Sequence, residues 1–252
     1  MIDRDQLVQF LNSELQADKI RDYCPNGLQV EGKAVIRRVI TGVTASQALV
    51  DAAIASKADA VLVHHGYFWK NEPAQITGIR KKRLQALLTH DINLIAYHLP
   101  LDVHPVLGNN AQLGKLLGVE NITAVMSADP SGVVMQGRFA TPRSLPAIGQ
   151  LLERQLSRQI LVHDAGIGDI TTVAWCTGGG QGYIEQAADA GAQLFITGEV
   201  SEKTIHLSRE RGIHFIAAGH HATERYGIKA LGEFLQQQLQ LDVQFIDIDN
   251  PA

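Results

Sequence analysis

The sequence predicts an α/β protein with two similar domains, and the alternation of strand-like and helix-like segments is the first observation behind this prediction. Between residues 35 and 97, short apolar segments alternate with longer segments of helical periodicity. Such alternation is typical of βαβ units, which build parallel sheets. The chain has 252 residues, which is enough for one large domain or two of ordinary size.

The second observation is an internal repeat. The order of segments at 172–180 and 192–199 resembles the order at 38–46 and 58–65. Any two βαβ units share such a pattern, so the strands alone are weak support for a duplication.

A His-x-x-x-acid sequence after a strand in each half is stronger support for the repeat. His98 is followed four positions later by Asp102, and His220 four positions later by Glu224. We therefore expect two similar α/β domains produced by internal duplication.

The turn cluster at 129–132 (Asp-Pro-Ser-Gly) marks the predicted boundary between these domains. The first domain is expected at residues 1–128 and the second at 129–252. The C-terminal part of the second domain is expected to return its histidine and acid to a site shared with the first.

Composition excludes several classes of protein. The net charge is −4 with both signs scattered, so there is no strong footprint for nucleic acid. No apolar run approaches the roughly 20 residues that span a bilayer, and the N-terminus lacks the apolar segment of a signal peptide. Cys24 and Cys176 do not indicate a disulfide framework. We therefore expect a cytoplasmic protein that does not enter a membrane.

Periodicity and capping residues predict the elements of both halves. In chain order we expect a helix at 5–19 capped by Asp3 or Asp5, strands at 35–42, 60–63 and 92–97, and helices at 45–56, 80–90, 109–117, 144–157, 183–190 and 223–235. Within 22–30, Pro-Asn-Gly predicts a turn in which Gly27 or Asn26 can take a positive φ, and the simplest interpretation of this segment is an ordinary connector.

Histidines and acids concentrate where the predicted strands end. This set comprises His64, His65, His98, Asp102, His220, His221 and Glu224. In open α/β sheets, ligands bind beyond the carboxyl ends of the strands. Imidazole and carboxylate donors suit Zn, Mn or Fe, and there are enough of them for two ions.

Paired ions about 3.5–4 Å apart are used by hydrolases, which usually bridge them with a carboxylate. Asp102 or Glu224 could serve as that bridge. Glu224 would lie one helical turn beyond His220 if the chain after Gly219 continues into the following helix.

Other motifs have simpler explanations. His90, His104, His163, His206 and His214 have no partner at metal spacing. The three glycines at 178–180 are explained as well by a tight strand-to-helix turn as by approach to a phosphate. The basic residues at 80–83 are most simply a solvated helix face, with contact to a substrate phosphate or a partner as the alternative.

Four segments together resemble the GTP cyclohydrolase I type 2-like family, also called NIF-three-like, over essentially the whole chain. They are Pro25-Asn26-Gly27-Leu28-Gln29-Val30, Val63-His64-His65-Gly66, His98-Leu99-Pro100-Leu101-Asp102 and Gly219-His220-His221-Ala222-Thr223-Glu224. The chain resembles the compact bacterial form, which lacks the extra domain that larger members insert between the halves.

The resemblance implies a dinuclear metal site at the interface of the two domains. Its ligands would be His64, His65, Asp102, His220 and Glu224, binding two divalent ions of Zn, Mn or Fe. His98 matches a family histidine near the metals, where it would transfer protons or orient the ligands.

The resemblance also implies a toroidal homohexamer whose metal sites face an internal cavity. A homo-oligomer needs apolar faces, and the helix segment 84–88 and the aromatic run Tyr67-Phe68-Trp69 are candidates. A pocket wall or a local core would also explain the aromatic run.

Three functions remain open at this point. The first is a dinuclear metal-dependent hydrolase acting on a small nucleotide-like substrate, in the manner of a GTP cyclohydrolase. The second is a metallophosphoesterase with the same ions. The third is a non-catalytic metal-binding ring that acts as a scaffold or regulator.

Overall fold

The computed structural model describes residues 1–252 and confirms a mixed α/β fold. Strands β1 to β13 lie at Ile2–Asp3, Gly27–Val30, Val35–Ile36, Arg38–Thr44, Ala60–His65, Asn93–Ala96, Glu120–Ala124, Met135–Arg143, Leu161–His163, Ile170–Cys176, Leu194–Thr197, His214–Ala217 and Asp242–Phe245. Helices α1 to α9 lie at Arg4–Glu14, Gln47–Ala55, Gly78–Thr89, Leu99–Val103, Asn109–Leu117, Leu145–Leu156, Ile184–Asp189, Glu202–Arg211 and His220–Leu239. None of these helices is a candidate for a bilayer span.

The first compact unit comprises Met1–Leu101 and Ile228–Asp249. Its main sheet has the order β13-β4-β5-β6-β2, in which β2 is antiparallel to β6 and the other neighbours are parallel. Strands β4, β5 and β6 are apolar along most of their length because parallel strands are covered on both faces. Leu49 of α2 and Leu87 of α3 pack with Val61 of β5 in the core.

The second compact unit comprises Asp102–Gly227 and Asn250–Ala252. Its sheet has the order β7-β8-β10-β11-β12-β9, with β10, β11 and β12 parallel. Successive side chains of a strand point to opposite faces, so this sheet supports two cores. Trp175 and Ile196 belong to one core, whereas Phe195 and Phe215 belong to the other.

The two units differ from the predicted division at residue 128. Residues 102–128 lie in the second unit, because β7 pairs with β8 of the second sheet and Leu113 of α5 packs into a core of that unit. Residues 228–249 lie in the first unit, because β13 pairs in parallel with β4. Asp102 therefore begins the second unit instead of lying inside the first domain.

Each sheet presents its histidines just after its parallel strands. Strand β5 ends at His65, and β6 ends two residues before His98. Strand β12 ends three residues before His220, where α9 begins. The predicted continuation of the turn after Gly219 into a helix is confirmed, although α9 begins and ends further out than 223–235.

Candidate metal centre

Three imidazoles cluster at the carboxyl end of the first sheet. His64, His65 and His98 each offer a ring nitrogen, and these atoms lie within 4.8 Å of one another. His64 is fully buried and His98 is nearly so. The ring centroid of His64 lies 4.5 Å from that of His65 and 5.0 Å from that of His98. The structure thus brings together three of the histidines that the sequence indicated.

Neighbouring groups hold the Nδ1 atom of each imidazole in this cluster. His64 Nδ1 lies 3.0 Å from the carbonyl oxygen of Tyr97, and His65 Nδ1 lies 3.0 Å from Oγ1 of Thr44, where β4 ends. His98 Nδ1 lies 3.0 Å from Oδ1 of Asp22. Engagement of Nδ1 fixes the ring and leaves Nε2 as the atom for a metal or a proton.

Aromatic side chains wall the cluster. Trp69 meets the His98 ring edge-to-face at 5.0 Å, and Tyr23 meets it at the same centroid distance. Tyr67 lies in the core and donates its hydroxyl to the carbonyl of Ala45. The aromatic run at 67–69 therefore supplies a local core and a site wall, which were the alternatives to an interface.

The segment 22–26 does more than connect two elements, contrary to expectation. Gly27 has the positive φ expected of the turn, but Asp22 and Asn26 bind the residues around His98. Burial opposes ionisation of Asp22, but the hydrogen bond and electrostatic attraction to His98, together with hydrogen bonds from Asn26 and Leu99, outweigh burial and lower the pKa of the carboxyl to about 2. Asp22 is thus a carboxylate at neutral pH.

A cavity of about 680 Å³ borders this segment. Asp22 and Asn26 contribute to its wall, together with the side chains Gln9, Asn12, Ser13, Gln16, Asp18, Lys19 and Cys24. Its volume is in the range of small-molecule sites. The carboxamides give it both hydrogen-bond donors and acceptors.

In the second unit, His220 is held between two carboxylates. Its Nε2 lies 3.2 Å from Oε2 of Glu224, one turn along α9, and its Nδ1 lies 2.7 Å from Oε1 of Glu199. Gln181 in turn donates to the other oxygen of Glu199. Burial lowers the pKa of His220, but the two carboxylates outweigh it and raise the pKa to about 9. The surroundings of this ring favour a positive charge.

Two buried carboxylates approach each other in the same unit. Oxygen atoms of Asp102 and Glu224 lie within 4.8 Å, and both residues are less than a tenth exposed. Asn109 donates to Asp102 at 2.8 Å, and Thr177 lies 3.4 Å from the same oxygen. Burial raises the pKa of the Cys176 thiol, and the charges of Asp102 and Glu224 raise it further. Like charges held this closely out of water are stabilised by a bound cation.

Gly178 makes room for Glu224. The residue has φ +64°, and a Cβ placed there would lie 2.0 Å from Oε1 of Glu224. Only glycine fits such a position without displacing the carboxylate. The first residue of the triple-glycine run is therefore explained by close packing against a candidate ligand.

The donor chemistry of both clusters fits a divalent cation. Imidazole nitrogens and carboxylate oxygens suit Zn, Mn or Fe, as the sequence indicated. The first unit supplies imidazole nitrogens with their other ring atom anchored, and the second supplies carboxylate oxygens around His220.

The remaining histidines have other surroundings. His221 is buried beside the C-terminus, where its backbone N–H donates to Ala252. His163 contacts Ser208 and Arg209, and His214 contacts Asp164. These contacts are structural, in keeping with the absence of metal spacing around His163 and His214 in the sequence.

Several residues of the site were missed by sequence analysis. Thr44, Glu199 and Asn109 orient candidate ligands, and Asp22 contacts His98. Thr44 and Glu199 follow parallel strands, as the histidines do, and this position was the available signal. Asp22 and Asn26 do not follow a parallel strand, so their position gave no such indication. Asn26 lies in the Pro-Asn-Gly turn, and Asp22 lies three residues before it.

Comparison with known proteins covers the whole chain. The family model Duf34/NIF3 (NGG1p interacting factor 3) matches residues 2–251. A protein of Yersinia pestis named GTP cyclohydrolase 1 type 2 homolog is 59% identical over 248 residues, which are 98% of each chain.

Two solved structures are similar over their full length. Protein ybgI, described as of unknown function, has a TM-score of 0.96 and 52% identity, with 100% of both chains covered. TTHA1606 from Thermus thermophilus has a TM-score of 0.91 and 37% identity, also with 100% of both chains covered. This chain therefore shares its fold with these two proteins.

Proposed function

The chain belongs to the Duf34/NIF3 family, and on that premise we propose that it is a metal-dependent hydrolase acting on a nucleotide or a related compound. The name GTP cyclohydrolase 1 type 2 homolog, carried by its relatives, supports a guanine nucleotide as the first substrate to test. Ring opening of the base is the corresponding reaction.

The proposed site holds two divalent cations on five ligands. His64 and His65 of the first unit, and Asp102, His220 and Glu224 of the second, would hold the ions, and either carboxylate could serve both of them. When bound, such a pair activates water and stabilises the oxygens of a displacement. The internal duplication is part of this proposal, and the shared strand order β4-β5-β6-β2 and β10-β11-β12-β9 supports it.

The complementary chemistry of the two clusters is the observation that carries the proposal. In the first, His64 and His65 are turned by Tyr97 and Thr44 so that Nε2 is the outward donor. In the second, two buried carboxylates lie within 4.8 Å of each other. Imidazole nitrogens are good ligands for Zn, and two carboxylates buried this close repel each other until a cation binds them, so a shared pair of cations would use both sets of donors.

His98 is the proposed proton carrier. Its Nδ1 is anchored by a carboxylate, which leaves Nε2 available, and a ring nitrogen of His98 lies within 4.8 Å of ring nitrogens of His64 and His65. An imidazole in this position can take a proton from water and return it to a leaving group. Trp69 and Tyr23 on its flanks limit access of bulk water to the ring.

The substrate, location and assembly follow from the same proposal. The polar cavity beside Asp22 has the size and the hydrogen-bonding groups for part of a nucleotide. A cytoplasmic location is supported by two cysteines that form no disulfide. The expected apolar face on α3 gives the homohexamer little support, because Leu84 and Leu87 are core residues and only Leu88 is well exposed. The homohexamer is therefore proposed from family resemblance alone.

Two other functions use the same side chains. A metallophosphoesterase would release inorganic phosphate, whereas ring opening would change the ultraviolet spectrum of guanine without releasing phosphate. A scaffold or regulator would bind metal and turn over nothing. The three are therefore distinguished by products.

The test is a screen of GTP, damaged nucleotides and phosphate esters with the purified full chain. We expect turnover that disappears on chelation and returns when Zn or Mn is restored. Glu224→Gln should abolish it, and Glu202→Gln on the exposed face of α8 is the matched control. Metal bound at the site with no turnover of any substrate would reject the hydrolase and favour the scaffold.

A further inference from the structure

We propose that Asp22 is the positioning residue that fixes the ring orientation and the tautomer of His98. The inference rests on the proposed proton-transfer role of His98, since it names the group that prepares this imidazole for that role. Nothing in the His-x-x-x-acid spacing indicated it, because Asp22 lies 76 residues before His98.

The contact between the two side chains is short and buried. His98 Nδ1 lies 3.0 Å from Oδ1 of Asp22, and the two side chains are 8% and 2% exposed. Asp22 is ionised at neutral pH, because its pKa is about 2, so it can only accept hydrogen bonds. The hydrogen of the neutral imidazole is therefore on Nδ1, and Nε2 is the basic atom.

The carboxylate is itself fixed by donors on both of its oxygens. Oδ1 accepts from the backbone N–H of Tyr23 at 2.7 Å. Oδ2 accepts from the N–H of Leu99 at 2.9 Å and from Nδ2 of Asn26 at 3.1 Å. A carboxylate with this many partners cannot rotate away from the imidazole without losing several hydrogen bonds.

The same segment also grips the backbone of His98. Oδ1 of Asn26 accepts from the N–H of His98 at 2.8 Å, so the chain is held on both sides of the ring. Tyr23 and Trp69 confine the ring by edge contacts at 5.0 Å. Together these contacts hold the imidazole in one orientation, with its ring centroid 5.0 Å from that of His64 and 5.7 Å from that of His65.

Asp22→Asn tests the tautomer because an amide cannot satisfy both sets of donors. Its oxygen is expected at the Oδ2 position, where Leu99 and Asn26 both donate. Its NH₂ then faces Nδ1 of His98 and must donate to it. The imidazole would respond by moving its hydrogen to Nε2, as an Asp-to-Asn change does when it inverts a catalytic histidine.

The experiment is ¹⁵N NMR of the side chains in the metal-free full chain at mildly alkaline pH, with the His98 signals assigned by their loss in His98→Gln. We expect the Nδ1–H tautomer in the wild type and a shift to Nε2–H in Asp22→Asn. Cys24→Ser is the matched control, because the thiol contacts the same carboxylate oxygen at 3.7 Å and serine keeps a hydrogen-bond donor at this position while the carboxylate of Asp22 is unchanged. It should keep the wild-type tautomer.

The proposal is overturned if His98 is the Nε2–H tautomer in the wild type, a result that does not depend on the folding of any variant. It is also overturned if Asp22→Asn is folded and leaves the tautomer unchanged. The readout needs no substrate and no metal. A confirmed tautomer with no turnover in the substrate screen would therefore reject the hydrolase while leaving the role of Asp22 in place.

Discussion

The two clusters of candidate ligands differ in charge, although the histidines of both lie at or just after the ends of parallel strands. The first contains the imidazoles of His64, His65 and His98. The second contains His220 with the buried carboxylates of Asp102 and Glu224. One cluster therefore provides nitrogen donors, and the other provides most of the negative charge that a divalent cation requires.

The difference shows that the same His-x-x-x-acid spacing can place the histidine beside different carboxylates. His220 contacts the acid four residues later because both lie on the first turn of α9. His98 has the same spacing to Asp102, but the carboxylate that contacts its Nδ1 is Asp22. A repeated sequence pattern thus locates a site, whereas the partners of each side chain depend on the fold around it.

Loss of a ligand from either cluster should have the largest effect. Loss of a group that orients a ligand typically lowers metal affinity about 10–100-fold. We expect His65→Ala and Glu224→Ala each to lower the affinity by more than this, so that the purified variants contain less metal. Both residues lie at element ends, so circular dichroism should show a folded chain. His206→Ala, at a histidine 59% exposed on α8, is the control for elemental analysis. Full metal occupancy in either ligand variant would remove that residue from the site.

The orienting carboxylate of the second cluster should come next. Glu199→Gln removes the charge that holds Nδ1 of His220 at 2.7 Å. We expect the dissociation constant of Zn to rise about 10–100-fold, because such partners fix the ring and raise its basicity. Competition with a chromophoric chelator measures this constant. If Glu199→Gln binds Zn as tightly as the control variant Glu202→Gln, Glu199 does not contribute to metal binding.

Asp22 should affect stability in a pH-dependent way. Its pKa is lowered from 3.8 to about 2 in the folded chain, so the ionised carboxylate stabilises the fold at neutral pH, and this contribution is lost as the pH falls from about 4 towards 2. We expect Asp22→Asn to lower the free energy of unfolding by about 1 to 2 kcal/mol at pH 7. Urea unfolding should show a smaller difference at pH 3. If the difference in unfolding free energy between the wild type and Asp22→Asn is the same at both pH values, the lost stability comes from the changed shape of the side chain and not from its charge.

The neutral partner in the first cluster should have the smallest effect. Thr44→Val keeps a β-branched side chain at the end of β4 but removes the hydroxyl 3.0 Å from Nδ1 of His65. A hydroxyl is a weaker partner than a carboxylate, so we expect the dissociation constant of Zn to rise less than about 10-fold. The same chelator competition applies. A larger loss of Zn affinity in Thr44→Val than in Glu199→Gln would show that the neutral partner contributes more to metal binding than the carboxylate does.

Sequence analysis predicted the features that depend on local patterns. The parallel strands are continuous apolar runs, and the histidines follow them directly, so both could be located. Strand β8 was missed, because its residues at 135–143 include Gly137 and Pro142 and show little apolar alternation. Strand β13 was missed because it is short and its partner, β4, lies far away in the sequence.

The partners of the histidines could not be predicted in the same way. Glu199 lies 21 residues before His220, and Asp22 lies 76 residues before His98. Their contacts exist only after the strands have been brought side by side. The bounds of the two compact units depend on long-range pairing in the same way, since the pairing of β7 with β8 and of β13 with β4 decides which unit those strands join.

Anomalous diffraction from crystals of the full chain grown with Zn tests the central claim most directly. We expect two peaks about 3.5–4 Å apart, with ring nitrogens of His64, His65 and His220 about 2.0–2.1 Å from a peak. Asp102 and Glu224 should supply the oxygen ligands, and one of them should contact both ions. A single peak bound by the side chains of one cluster alone, or no peak at these residues, would contradict the claim that both clusters hold a shared pair of cations.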